Sequence, residues 1–204
     1  MTEREYFIRN VTMLYDTREK ENGEILGEFA KAGLAFERAT FDTADYSFRI
    51  DGIDYRDKWL GERKGSLSEI YGNVMAGNVN KGAKERNNLE EELQRAKDNR
   101  VKEFVLFIEG AASWTALKRF KLPYSPVGAS AGKHIYSTLV SWASNNRYGF
   151  KTVLAATRAE IASEIIARAY YFWRNEMKNI YGDKFLKVLI KGAEQNEQQQ
   201  QDMR

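Results

Sequence analysis

Residues 44–64 read ADYSFRIDGIDYRDKWLGERK, and the fold is decided there. Tyr46–Ile50 and Ile53–Tyr55 are two apolar-containing runs separated by Asp51-Gly52. Asp-Gly tolerates positive φ at both turn positions, so the pattern predicts a tight β-hairpin. Lys58–Lys64 is the next extended segment. Side chains two apart on a strand share a face, so Glu62 and Lys64 project together and Arg63 turns away. Asp45 opens the hairpin, on a neighbouring strand. A carboxylate beside an ammonium, joined by a second carboxylate, makes a site for one hard divalent cation and one activated water. That combination suits phosphodiester hydrolysis.

Carboxylates brought together repel, and their clustering implies a bound cation or a raised pKa. Asp45, Glu62 and one main-chain carbonyl would suffice for Mg²⁺, which keeps several waters. Lys64 would orient or deprotonate the attacking water and stabilise charge on the phosphate. Asp16, at the end of the apolar run Val11–Tyr15, is the fourth candidate at this site.

Outward from this stretch, the pattern alternates between helix and strand. On the N-terminal side, Val11–Tyr15 reads as a buried strand, Glu24–Lys31 as a helix and Phe36–Phe41 as a strand. On the C-terminal side, Ser66–Met75 reads as a helix with Ser66 and Glu69 as a capping box. Ala83–Lys97 is a highly charged helix whose charges largely cancel as i,i+4 pairs on a solvated face. Glu103–Ile108 is nearly continuous in apolar character and predicts a strand buried on both faces. Ala112–Phe120 is a short helix, Leu122–Gly132 a loop holding both prolines, Lys133–Asn145 a helix and Thr152–Ala155 a strand. Thr157 caps a long helix to about Met177, and Tyr170–Trp173 on it read as core or dimer contact. This order predicts an α/β fold: a central mixed sheet with helices on both faces. One domain is expected over residues 5–180, with 181–204 a polar, partly disordered extension.

Composition narrows the chemistry. The 204 residues carry a formal net charge of +3, a mildly basic balance compatible with nucleic acid. There is no cysteine, which excludes disulfides, thiolate zinc sites and thiol nucleophiles. One histidine, His134, excludes a site built on two imidazoles. No apolar run reaches the ~18 residues of a membrane span, and the charged N-terminus lacks a signal-peptide core. A cytoplasmic protein without a membrane segment is expected.

Tyr15-Asp16-Thr17-Arg18-Glu19, then Ala44-Asp45-Tyr46-Ser47, then Glu62-Arg63-Lys64 followed by Leu67 and Ile70, form a wider pattern. It resembles the nuclease domain of the XPF/MUS81 (ERCC4-type) structure-specific endonucleases, over roughly residues 10–175. The stretch around Arg86, the strand ending Phe107-Ile108-Glu109-Gly110 and the pair from Lys151 to Trp173 are similar to the rest of that domain. The resemblance implies a PD-(D/E)xK, restriction-endonuclease-like core and cleavage of branched, flap or junction DNA with Mg²⁺ or Mn²⁺. It implies Asp45 and Glu62 as metal ligands, Lys64 as a catalytic residue, and Asp16 with Glu19 as supporting acids. Arg63 is the motif arginine, for substrate contact or structural pairing, and Arg86 lies on a matching stretch. DNA repair, recombination or replication, and a homodimer or a heteromeric partner, follow by the same analogy.

The chain departs from the family pattern in places. Ala44 stands where a glycine usually precedes the motif aspartate. Ser68 stands where an acid usually follows the motif lysine, with Glu69 one place on. No tandem helix-hairpin-helix module is visible after the nuclease-like region. Gly128-Ala129-Ser130-Ala131-Gly132-Lys133-His134 imitates a phosphate-binding loop, but its spacer is one residue short and His134 replaces the hydroxyl. It reads better as a glycine-rich start to a helix. The alternative to a nuclease is a catalytically silent DNA-binding or scaffold subunit.

Overall fold

A computed structural model describes residues 1–19, 22–76, 89–123, 127–144 and 147–192. The strands are β1 (Val11–Asp16), β2 (Ala35–Ala39), β3 (Tyr46–Ile50), β4 (Ile53–Asp54), β5 (Trp59–Lys64), β6 (Glu103–Glu109) and β7 (Phe150–Ala155). They form one mixed sheet in the order β2-β1-β3-β5-β6-β7, with β4 paired to β3. β3 runs antiparallel to both β1 and β5, and β5, β6 and β7 are mutually parallel. The expected hairpin is present: Ile50 pairs with Ile53 across Asp51 and Gly52, whose φ values are 52° and 78°. Positive φ at both positions is the twist-matched turn that Asp-Gly favours.

Helices cover both faces of the sheet. α1 (Glu3–Asn10), α2 (Gly23–Lys31) and α7 (Arg158–Tyr181) pack on one; α3 (Leu67–Ala76), α4 (Leu89–Asp98), α5 (Trp114–Lys118) and α6 (Ala131–Ala143) pack on the other. β6 shows why. Val105 and Phe107 enter the first core, while Phe104, Leu106 and Ile108 enter the second. A strand with apolar side chains on both faces requires two covering layers. β5 follows the same alternation, with Trp59 in the first core and Leu60 in the second. Glu62 and Lys64, in phase with Leu60, therefore face the α3–α6 layer, and Arg63 faces the other.

Several element bounds shift from the sequence reading. β7 starts two residues earlier than expected, and β2 ends two residues earlier. Ser66 does cap α3, its Oγ accepting the Glu69 N–H at 3.1 Å. Glu69, however, reaches back to the N–H of Gly65 at 2.8 Å rather than to that of Ser66. The helix expected over 83–97 is seen from Leu89; Arg86 lies outside the described residues.

Two further features lie at the chain ends. α1 was unanticipated in a segment that looked merely charged. Thr2 and Glu5 form its capping box, and Tyr6 and Phe7 are buried. Part of the extension expected from 181 onward packs on the fold. Residues 185–192 are helical, and fully buried Phe185 packs edge-on to Trp173 at 5.5 Å. A polar composition concealed one deep anchor; 193–204 lie outside the described residues. Among the described residues, no helix is long and apolar enough to cross a membrane.

Candidate active site

The site forms where β3 begins and β5 ends. Tyr46 pairs with Gly61, and the Asp45 N–H donates to the Gly61 carbonyl at 3.0 Å. The Arg63 N–H donates to Asp45 Oδ2 at 2.8 Å. Two backbone-level bonds thus hold Asp45 against β5, between the positions of Glu62 and Lys64. All six β5 residues are buried, because the strand is central and covered on both sides. Glu62 and Lys64 are not a solvated charge ladder.

Lys64 Nζ donates to Glu62 Oε1 at 2.6 Å and to Glu92 Oε2 at 3.4 Å. Glu92 comes from α4, where the sequence pattern placed it on a solvated face. It is 9% exposed. Its signal was present in the α4 stripe: Leu89, Glu92, Leu93 and Ala96 are the buried positions of one helical face. An acid in that register points at the sheet.

Arg63 leaves β5 on the side opposite Glu62 and Lys64, yet it and Glu19 still border the same cavity as those two at the strand end. Its guanidinium donates to Glu19 Oε1 and Glu109 Oε2, both at 3.0 Å. Glu109 also accepts from Arg158 Nε at 3.3 Å, at the start of α7. Of the two roles open to Arg63, structural pairing is the one its contacts support. Glu19 is brought in as the partner of Arg63. Asp16 is almost fully buried, and both its oxygens are taken. Oδ1 accepts from the backbone and Nε of Arg18, and Oδ2 from Arg18 Nη2 and the Phe41 N–H. Burial raises its carboxyl pKa, but these Arg18 and Phe41 bonds outweigh burial and hold it below the usual range. It ties the end of β1 to the segment leading into β3.

A cavity of about 310 Å³ opens over these groups; Asp45, Glu62, Lys64 and Glu92 line it together with Glu19 and Arg63, with Arg18 and Arg95 on its walls. Asp16 does not line it. A larger space of about 830 Å³ adjoins it through Asp42 and Thr43, but its Asp54 is already committed to Arg56. The smaller cavity is the one that gathers Asp45, Glu62, Lys64 and Glu92.

Electrostatics inside it are unbalanced. Burial pushes the Asp45 carboxyl up to about 7, aided by Glu19 and Glu92 and opposed by the Arg63 N–H and Lys64. Burial, then Asp45, push Glu62 well above the carboxylate range. Burial lowers the Lys64 ammonium pKa, but Glu62 and Glu92 more than reverse this and raise it. Lys64 therefore stays charged. The acids outnumber it. Asp45 Oδ1 and Glu62 Oε2 accept no hydrogen bond among the described residues. Two free hard oxygens in a cavity short of positive charge fit a divalent cation with water completing its shell. Among the described residues no group of three or more His, Cys, Asp or Glu side chains is arranged to hold a metal, so the fit is to two carboxylates.

A mixed sheet with this strand order and helices on both faces is an XPF nuclease-like α/β fold. The structure is similar to XPF from Aeropyrum pernix, with a TM-score of 0.56 and 15% identity over 80% of this chain and 65% of that one. It is also similar to XPF from Aeropyrum pernix in complex with DNA, with a TM-score of 0.54 and 14% identity over 81% and 66%. The chain thus spans about two thirds of those chains' lengths. No family model matches the sequence, and no curated protein matches it.

Proposed function

We propose that this chain is a metal-dependent DNA endonuclease that hydrolyses phosphodiester bonds at branched, flap or junction DNA. The observation that carries the reading is the Asp45–Glu62–Lys64 group, half-buried Asp45 beside buried Glu62 and Lys64, with two carboxylate oxygens that accept no hydrogen bond among the described residues next to a charged amine in one cavity. Asp45 and Glu62 would hold Mg²⁺, with Mn²⁺ as a substitute. When bound, the ion supplies Lewis acidity and a water of lowered pKa.

The remaining work falls to the chain's own side chains. Lys64 is held charged by Glu62 and Glu92, so it does not act as the proton acceptor. It stabilises the negative charge that builds on the phosphate oxygens, in a cavity where water screens weakly. Asp45 and Glu62 orient the nucleophile side of the site, and the Arg63 N–H fixes the carboxylate plane of Asp45. Glu92 keeps Lys64 from swinging out of the cavity. Hydrolysis leaves 5′-phosphate and 3′-hydroxyl ends. The Glu19–Arg63–Glu109 pairing supports β5 from behind. A homodimer or heteromeric partner, and a role in DNA repair, recombination or replication, extend the reading.

Labelled flap, fork, nicked and linear duplex DNAs, incubated with and without Mg²⁺, test it. Cleavage that needs the metal and falls at least ~100-fold in both Glu62→Gln and Lys64→Ala supports the nuclease. Equal binding by wild type and variants, with no cutting by any, establishes the scaffold alternative instead.

A further inference from the structure

The charge of this chain is unevenly spread. Between Glu109 and Glu160 there is no Asp or Glu, yet that segment carries seven Lys and Arg residues. Against an overall +3, everything outside it sums to −4. Three of the seven cations are matched by acids from elsewhere: Arg147 by Glu90, Lys151 by Glu103 and Arg158 by Glu109. The other four, Lys118, Arg119, Lys121 and Lys133, are exposed and form no ion pair among the described residues.

All four sit on α5, α6 or the residues directly after α5. α5 and α6 make a helical hairpin closed at Gly132, where a Cβ would lie 2.0 Å from the Leu117 carbonyl oxygen. The Gly132 N–H donates to the Phe120 carbonyl, and the Leu122 N–H to that of Gly128, both at 3.0 Å. Leu117 and Ile135 root the hairpin in the core on the sheet face that carries Glu62 and Lys64. Lys118 Nζ lies 3.8 Å from the ring centroid of Tyr136, which meets half-buried Trp114 edge-on. The segment also starts beside the site, since Leu67, three residues after Lys64, packs over Gly110.

Fixed like charges without counter-ions repel one another, and a regularly charged polyanion relieves them. Lysine and arginine heads on a firm scaffold neutralise successive phosphates and carry no sequence preference of their own. We infer that the α5–α6 hairpin is the docking surface for the DNA backbone flanking the scissile phosphate, with Lys118, Arg119, Lys121 and Lys133 as its phosphate contacts. This rests on the reading of the cavity as a DNA-cleaving site.

The test is binding of the full chain to a fluorescent fork DNA in EDTA, by anisotropy across a potassium chloride series. The variant K118Q/R119Q/K121Q/K133Q is expected to flatten the plot of log affinity against log salt by about 3 to 4. It should also lose at least about tenfold in affinity at ~100 mM salt. The charge-retaining K118R/K121R/K133R should keep the wild-type slope. K184Q/K187Q/K191Q, on the exposed C-terminal lysines, should keep it too. Thermal melting checks that each variant is folded. A quadruple variant that keeps the wild-type slope and affinity overturns the surface while leaving the nuclease reading intact. Wild-type binding that depends on the patch, without Mg²⁺-dependent cutting, removes the nuclease reading and leaves the surface standing. Absence of wild-type DNA binding overturns both.

Discussion

The Arg63 N–H donates to Asp45 Oδ2 at 2.8 Å, so a backbone group of one strand holds a carboxylate of its neighbour. The bond joins the two halves of the site before any ligand arrives. It leaves Asp45 Oδ1 without a hydrogen bond among the described residues and sets the acid between Glu62 and Lys64. The same residue sends its guanidinium to the other side of the sheet, to Glu19 and Glu109. Position 63 therefore links the cavity to the layer behind it.

Replacing that guanidinium tests the link. Arg63→Lys keeps the charge but cannot span two carboxylates with one planar fork. One of Glu19 and Glu109 is then left without this partner in a buried setting. Urea denaturation is expected to show a loss of about 2–4 kcal/mol. A variant as stable as wild type would show that the pairing is not structural.

Among the described residues, Lys64 is the only amine hydrogen-bonded to Glu62 and Glu92. Lys64→Ala leaves two buried acids uncompensated and should cost about 2–4 kcal/mol at neutral pH. Glu92→Gln removes one of the crowded charges and should cost far less, or raise the melting temperature slightly at pH 8. If Glu92→Gln destabilises as much as Lys64→Ala, Glu92 is needed as a charge rather than as a positioning contact.

The pH dependence of stability follows from Asp45. Its carboxyl titrates at about 7 in the fold against an ordinary 3.8. The folded state therefore binds more protons than the unfolded chain between these values, and stability falls as pH rises through that window. Below about 4 the contribution is fully present; above about 7 it is gone. Asp45→Asn should flatten this slope and stabilise the protein at pH 8. With partial solvent access, the gain is on the order of 1–2 kcal/mol. Denaturant melts at pH 5 and pH 8 measure it, and a wild type that gains stability on going from pH 5 to 8 contradicts the assignment.

Ala44 adopts φ of 71°, in the left-handed region. A side chain there is strained by roughly 1 kcal/mol, which glycine avoids. Glycine also frees the unfolded chain and removes a buried methyl, so the two effects partly offset. Ala44→Gly is expected to fold normally with a stability change from about zero to +1 kcal/mol. A loss above about 1 kcal/mol would mean that the methyl packing outweighs the backbone strain. The glycine of the family pattern at this position thus has a conformational reason.

Much of this protein was legible in the linear order of residues. The Asp51-Gly52 turn, the apolar run of β6 and the two-residue spacing of Glu62 and Lys64 are local signals whose meaning does not depend on distant contacts. They determined the hairpin, the two-sided sheet and the pairing of acid with amine on one face. Tertiary structure alone decided what each charge does. Glu92 and Glu109 were ordinary helix and strand-end acids until α4 and β6 packed beside β5. Asp16 and Glu19 are close in sequence, yet one is consumed by Arg18 and Phe41 and the other by Arg63. Phe185 belongs to the core only because the chain turns after α7, at Gly182 with φ of 74°, and returns onto Trp173. Periodicity records which face a side chain occupies; which partner meets it there, and how much water remains, arises only when separate segments close on one another.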